Sequence, residues 1–353
     1  MTDDVTPIRA FGESDGDLSD LDGRSIAIVG YGNQGRAQAL NLRDSLRRAQ
    51  PSRGVRDILV ATLKDGSWEQ AEQDGFSPRP LPEVAEAAEI LFLLIPDEDL
   101  PPVFSAEIAP HLQKDDALVV ASGYNLAFGE LTVSPDVDVL MLAPRMIGRQ
   151  LRELYERGEG FYSYVSVEQD ASGRAWPTLL ALAKGIGCLR LGALELSAKD
   201  EAVLDLFHEQ GLGSLLGSMI FLMLEVGVEA GLPPEAMVLD LYISGEMAET
   251  FQAMADLGFV DQSRLHSLTS QYGGMMRTIG MDREPMRQHL VKIIEEIRDG
   301  SFAKQWAAER AAKYENFEKL RALGRERNPF TPIEERLRAV LREAQERGGE
   351  KSK

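Results

Sequence analysis

Arg24-Ser25-Ile26-Ala27-Ile28-Val29-Gly30-Tyr31-Gly32-Asn33-Gln34-Gly35-Arg36-Ala37-Gln38-Ala39-Leu40-Asn41-Leu42 changes character twice along its length. The apolar run Ile26 to Val29 predicts a strand, Gly30 to Gly35 a tight turn, and Arg36 to Leu40 a helix. In that order, the three elements form a dinucleotide-docking unit. Gly30 supplies the backbone angles of the turn, Gly32 lets a pyrophosphate approach the main chain, and Gly35 lets helix and strand pack closely. The first N–H groups of the helix, with Tyr31, Asn33 and Gln34 in the turn, then face the phosphates. A glycine motif alone is weak evidence; the flanking strand and helix raise it above an ordinary turn.

Further uninterrupted apolar runs follow at residues 57–62, 90–95, 117–121 and 137–142, with another strand expected at 162–167. Their lack of alternation predicts parallel strands covered on both faces. Helical stretches such as 83–88 and 104–112 lie between them, so residues 21–197 read as an α/β, Rossmann-type, doubly wound parallel sheet. From Ala198 the pattern becomes helical, over 199–231, 234–257, 283–300 and 302–323, which predicts an all-helical domain over 198–346. Residues 1–20 read as a loosely held acidic arm and 347–353 as a charged tail.

With 38 Lys and Arg against 57 Asp and Glu, the 353-residue chain carries a net charge of −19, a field that repels nucleic acid and anionic membranes. Its single cysteine, Cys188, forms no intramolecular disulfide, and the acidic N-terminus lacks a signal-peptide pattern. Both features fit a cytoplasmic protein. The uncharged segment 211–224 is shorter than the roughly 20 residues that span a bilayer, and predicts a buried core helix.

Two places carry the chemistry. The second strand ends at Thr62-Leu63-Lys64-Asp65-Gly66-Ser67-Trp68, where such folds select their nucleotide. Asp65 suits the ribose hydroxyls of NAD, whereas Lys64 and Ser67 suit the 2′-phosphate of NADP. NAD is preferred, because a carboxylate repels that phosphate. In the helical region, Asp205 and Glu209 stand four apart, so one helix face carries both. Two such carboxylates repel unless solvated or bridged, and hard oxygen donors favour Mg²⁺. A pair of this kind is commonly a solvated face; the apolar neighbours Leu204, Leu206 and Phe207 suggest partial burial.

Together these residues resemble the ketol-acid reductoisomerase family. The matching stretches run from Gly30 to Gly35 and from Ala39 to Ser45. They continue through Leu94-Ile95-Pro96-Asp97-Glu98, Gly123-Tyr124-Asn125, residues 169–173, residues 183–187, Asp205-Leu206-Phe207-His208-Glu209-Gln210 and residues 299–303. The resemblance implies a knotted helical domain, active sites formed between subunits of a homodimer or larger homo-oligomer, a nicotinamide beside Leu94, Pro96 and Asp97, and Mg²⁺ on Asp205 and Glu209. It also places the family's substrate-binding serine on Ser267. The family's further pair of glutamates falls on Tyr242 and Glu246 when aligned backward from Ser267, or on Asp240 and Ser244 when aligned forward from Gly231. Either way one carboxylate of the two survives, and Glu246 is the expected third metal ligand.

Two more positions depart from the family's pattern. Its histidine is Ser122 here, and the lysine of its Ala-Pro-Lys motif is Arg145. Arginine does not give up its proton at physiological pH, and serine does not replace imidazole as an acid or base. The expectation is a remodelled member in which the usual alkyl migration is weak or lost and hydride transfer is kept. Its substrate would be a small hydroxy acid, keto acid or vicinal-diol acid. One branch with similar departures is the family's cyclopropanol-forming synthases, which act on a sulfonium-bearing dihydroxy acid; there the ring of Tyr242 could stabilise the cation. The alternatives are an ordinary ketol-acid reductoisomerase acting on 2-acetolactate, and a non-catalytic nicotinamide-binding homologue.

Overall fold

The computed structural model describes residues 7–49 and 57–350, so Asp3 and Asp4 of the acidic arm and the final residues 351–353 lie outside the described residues. The chain forms two compact units, Met1–Asp205 and Leu206–Lys353. The first holds an eight-stranded sheet: β1 (Ala10–Phe11), β2 (Ser25–Val29), β3 (Asp57–Ala61), β4 (Ile90–Leu93), β5 (Ala117–Val120), β6 (Asp138–Pro144), β7 (Ser163–Gln169) and β8 (Ala193–Glu195). Their spatial order is β1-β8-β7-β6-β5-β4-β2-β3.

Alternate residues of β2 point to opposite faces, yet every one is buried, because helices cover both sides. Ile26 and Ile28 pack with Leu40 and Leu42 of α1 (Asn33–Ala49) and with Leu179 and Leu182. Ala27 and Val29 pack with Val84, Phe104 and Ile108 on the other face. The strands β3, β2, β4, β5 and β6 run parallel. Chain order reverses between β2 and β4, and ligands of open α/β sheets bind at such a switch point, outside the carboxyl ends of the strands.

The sheet departs from the parallel expectation at its far side. There β7 runs antiparallel to β6, β8 parallel to β7, and β1 antiparallel to β8. The strands β1 and β8 are two and three residues long, too short to register as apolar runs. The reading of residues 1–20 as a loosely held arm is also corrected for the described part. Phe11 packs on Trp176 with ring centroids 5.3 Å apart. Lys184 Nζ donates to the carbonyls of Gly16 at 2.9 Å and Glu13 at 3.1 Å, and Leu18 packs against the core. Its few apolar residues anchor the arm, despite the surrounding acids.

The second unit has no strand among its described residues and is built from helices, as expected. The segment expected as one helix over 234–257 breaks at Gly245, which takes φ 85° before the helix Glu246–Leu257. The helix Phe330–Glu350 runs on past Arg347, through the start of the expected tail. The largest correction concerns the uncharged segment: in the helix Gly213–Glu229 only Leu224 and Gly227 are buried. The helical run Ala198–Glu229 is long and apolar enough to cross a membrane by length and composition, an 18-residue window within it having a mean hydropathy of 1.8. Thus only part of the apolar run joins the core of its own unit, Leu224 and Ile220 packing with Val238, Phe330 and Ile333, while Leu222, Met223 and Val226 stand half exposed.

Candidate active site

The turn after β2 adopts the geometry its glycines allow. Gly30 has φ 95°, and a Cβ there would stand 2.5 Å from the Leu94 carbonyl oxygen. A Cβ on Gly35 would lie 1.9 Å from the Gly30 oxygen, so helix and turn meet at a distance only glycine permits. A Cβ on Gly32 would meet nothing within 4 Å, leaving that side of the main chain open to a ligand. The N–H groups of the first turn of α1 have no earlier helical carbonyl to bond, and Asn33 opens that helix. Gln34 Nε2 donates to the Met146 carbonyl at 2.9 Å, tying the turn to the loop after β6. This cradle fits the pyrophosphate of a nicotinamide dinucleotide. The ring of Tyr31 is buried edge-on against Phe76 and its hydroxyl donates to Asp74 at 3.0 Å, which leaves its backbone to serve the turn.

In the loop after β3, the Asp65 carboxylate accepts from the Ser67 N–H at 2.8 Å and caps the helix α2 (Gly66–Gln73). Lys64 stands over the Trp68 ring, 5.5 Å from its centroid. Asp65, read from sequence as a ribose acceptor, therefore also holds a helix start.

Beside the switch point, the residues after β4 and β5 meet the loop after β6. Asp97 follows Leu94 and Pro96, and its carboxylate accepts from Ser122 Oγ at 3.1 Å and from Asn125 Nδ2 at 3.0 Å. Burial raises its pKa above the ordinary carboxylate value. Arg145 follows β6 directly, and its guanidinium spans two acids: Nη1 to Glu201 Oε1 at 3.1 Å, and Nη2 to Asp205 Oδ1 at 2.5 Å. The same guanidinium lies 5.2 Å from the centre of the Tyr164 ring. The second oxygen of Glu201 accepts from the Gly123 N–H at 2.8 Å. That carboxyl is pushed up to about 7, first by burial and then by the neighbouring Asp205 and Asp97 charges, against the downward pull of Gly123 and Arg145. The predicted residues Ser122, Arg145, Asp97 and Asp205 thus share one cluster. Glu201, Asn125 and Tyr164 were missed. A signal for Glu201 existed, because it stands one helical turn before Asp205 just as Glu209 stands one turn after.

The other predicted residues belong to the second unit. Glu209 is exposed in the π-helical turn His208–Leu212. Glu246 is exposed in the first turn of its helix. Ser267 caps the helix Leu268–Ile279, accepting from the Ser270 N–H at 3.2 Å. The Tyr242 hydroxyl donates to Glu334 and its ring packs near Phe330, within the packing of that unit. Among the described residues, no group of three His, Cys, Asp or Glu side chains is placed to hold a metal ion. The oxygens of Glu201 and one oxygen of Asp205 already have donors. The donor set of the single chain therefore does not fit the expected Mg²⁺ centre.

Residues 20–192 match the family model described as acetohydroxy acid isomeroreductase, NADPH-binding domain, and residues 198–343 match ketol-acid reductoisomerase, C-terminal domain. The chain belongs to the ketol-acid reductoisomerase family. A Methanopyrus kandleri protein named ketol-acid reductoisomerase (NADP(+)) is 35% identical over 338 residues, 94% of this chain and 98% of that protein. A Saccharolobus solfataricus protein, named as a candidate ketol-acid reductoisomerase 3, is 37% identical over 332 residues, 93% of this chain and 97% of its own length. Among solved structures, an NADH-preferring ketol-acid reductoisomerase from an uncultured archaeon superposes with a TM-score of 0.82 at 28% identity, covering 94% of this chain and 99% of the other. As a ketol-acid reductoisomerase family member, the chain is a nicotinamide-dependent oxidoreductase acting on a small molecule.

Proposed function

We propose that this ketol-acid reductoisomerase homologue passes a hydride between a nicotinamide and one carbon of a small hydroxy, keto or vicinal-diol acid, and that it has lost or weakened the family's alkyl migration. The observation that carries the reading is the fork of Arg145 across Glu201 and Asp205, at the position where the family's motif has lysine. An arginine so placed holds charge and orientation but exchanges no proton. Ser122, at the family's histidine position, is hydrogen-bonded to Asp97 and offers no acid or base near neutrality. The nucleotide turn keeps every glycine while the reacting side has changed, as expected of an enzyme turned to specialised metabolism. Ring closure of a sulfonium-bearing diol acid to a cyclopropanol suits a site that keeps hydride transfer. The alcohol gives its hydride to the oxidised nicotinamide and its proton to water. The carbon beside the new ketone loses its acidified proton to water and displaces the neutral sulfide as the ring closes. The hydride then returns to the ketone, which takes a proton from water.

Asp65 supports NAD as the working cofactor, and the half-exposed apolar helix Gly213–Glu229 supports a homodimer or larger homo-oligomer. A soluble, cytoplasmic enzyme fits this reading. The expectation that Glu209 stands with Asp205 on one chain, that Glu246 completes the site from a neighbouring subunit and that Ser267 binds substrate belongs to it as well.

A second reading, an ordinary ketol-acid reductoisomerase, is favoured by the near full-length match to the Methanopyrus kandleri relative. Purified protein is supplied in turn with 2-acetolactate plus NADH or NADPH, and with a sulfonium-bearing dihydroxy acid plus NAD⁺ or NADP⁺, each with Mg²⁺. The proposed function predicts little steady oxidation of the nicotinamide with acetolactate, and conversion of the diol acid with no net nicotinamide change, followed by NMR. Sustained turnover of acetolactate overturns it in favour of the second reading.

A further inference from the structure

Three acids, Asp97, Glu201 and Asp205, come within electrostatic reach of one another in the first unit. Such a group ordinarily calls for a cation. The structure supplies one from the chain itself: the Arg145 guanidinium bonds a carboxylate on each of two successive helical turns and rests against the Tyr164 ring. The side chain of Glu201 is 3% exposed and that of Asp205 is 36% exposed. The fork therefore reaches from a buried acid to one at the rim.

The consequence depends on which cation it is. A lysine is a compact charge on a flexible stem, free to swing away when a metal enters. An arginine fork fixed by two carboxylates loses both bonds if it moves, and its charge cannot be titrated away. A divalent ion on Asp205 must therefore displace a charge-assisted hydrogen bond or sit close to a fixed positive charge. We infer that Arg145 is the resident cation of this acid cluster and that it suppresses divalent-metal binding at Asp205. This rests on the family correspondence of Arg145 used above, but it concerns occupancy of the site and not turnover.

The test titrates full-length protein with Mn²⁺, following free ion by electron paramagnetic resonance, and repeats it with Mg²⁺ as competitor. Binding of NADH, followed by its fluorescence, reports that each variant is folded. Wild type is expected to bind Mn²⁺ weakly, and Asp205→Asn to leave that weak binding unchanged. Arg145→Gln is expected to bind Mn²⁺ at least about tenfold more tightly, a change that corresponds to about 1.4 kcal/mol. The double variant Arg145→Gln with Asp205→Asn is expected to lose the gain. Arg145→Lys, which keeps a charge beside buried Glu201, is expected to show a smaller gain in the same direction. Tight Mn²⁺ binding by wild type that Asp205→Asn abolishes overturns the inference. So does unchanged Mn²⁺ affinity in NADH-binding Arg145→Lys. Because no substrate is present, failure here leaves the proposed reaction standing, and failure of the reaction leaves the metal titration readable.

Discussion

Glu201 is the residue where burial and charge balance most visibly conflict. Its carboxyl is pushed from 4.5 up to about 7, mainly by desolvation, although Arg145 and the Gly123 N–H both favour the charged form. A carboxyl whose pKa is higher folded than unfolded binds more protons in the native state between those two values. Its contribution to stability is then fully present below about 4.5 and is lost as pH rises through about 7. The size is on the order of 2 to 4 kcal/mol at most. Glu201→Gln should therefore flatten the fall in melting temperature between pH 5 and pH 8 without abolishing it, because buried Asp116 is raised to about 6 in the same sense. Calorimetry at several pH values measures this, and an unchanged slope in Glu201→Gln would refute the assignment. Sequence position showed that Glu201 shares a helical face with Asp205. It did not show that β6 would deliver an arginine between them, because Arg145 lies 56 residues from Glu201 along the chain.

The glycine turn was legible as an element because its requirements are local: backbone angles and steric room are set by a few adjacent residues. It also separates folding from binding. A methyl at Gly35 meets the Gly30 carbonyl oxygen at 1.9 Å, which backbone cannot relieve cheaply, so Gly35→Ala should lower stability by about 1–3 kcal/mol and weaken NADH binding with it. A methyl at Gly32 meets nothing. Gly32→Ala should leave the melting temperature of the free protein unchanged and weaken NADH binding at least about tenfold, since the added group enters the space of the pyrophosphate. Thermal melts with and without NADH distinguish the two variants, and full NADH affinity in Gly32→Ala would count against the cradle. Elements defined by distant partners were less legible. β1 exists because two residues of an acidic arm pair with a three-residue strand, and neither partner carries an independent signal. Asp65 read as a nucleotide selector because loop charge is visible in sequence, whereas its role as the cap of α2 depends on where that helix begins.

At the scale of the whole molecule, the helix Gly213–Glu229 presents the largest mismatch between composition and surroundings. A run with no charge before Glu225 was expected to be a core helix, because apolar sequence is normally buried. Periodicity reports that a face will be covered, but not whether the cover comes from the same chain. Within its unit the helix leaves Phe221, Leu222, Met223 and Val226 each about half exposed, and this is the apolar surface on which the proposed homo-oligomer would pack. The net charge of −19 keeps that surface from indiscriminate association, and a specific self-complementary contact must then outweigh the repulsion between copies. The expected outcome is that wild type sediments as a dimer or larger species, whereas Leu222→Asp with Val226→Asp sediments as a monomer. Because the nicotinamide turn lies in the first unit, the double variant should still bind NADH with affinity within about threefold of wild type. Turnover should fall at least about a hundredfold if the site needs a partner's side chains, on the order of 2.7 kcal/mol of lost stabilisation. A monomeric double variant with full turnover would show that one chain holds the complete site, and a monomeric wild type would show that this helix has another partner.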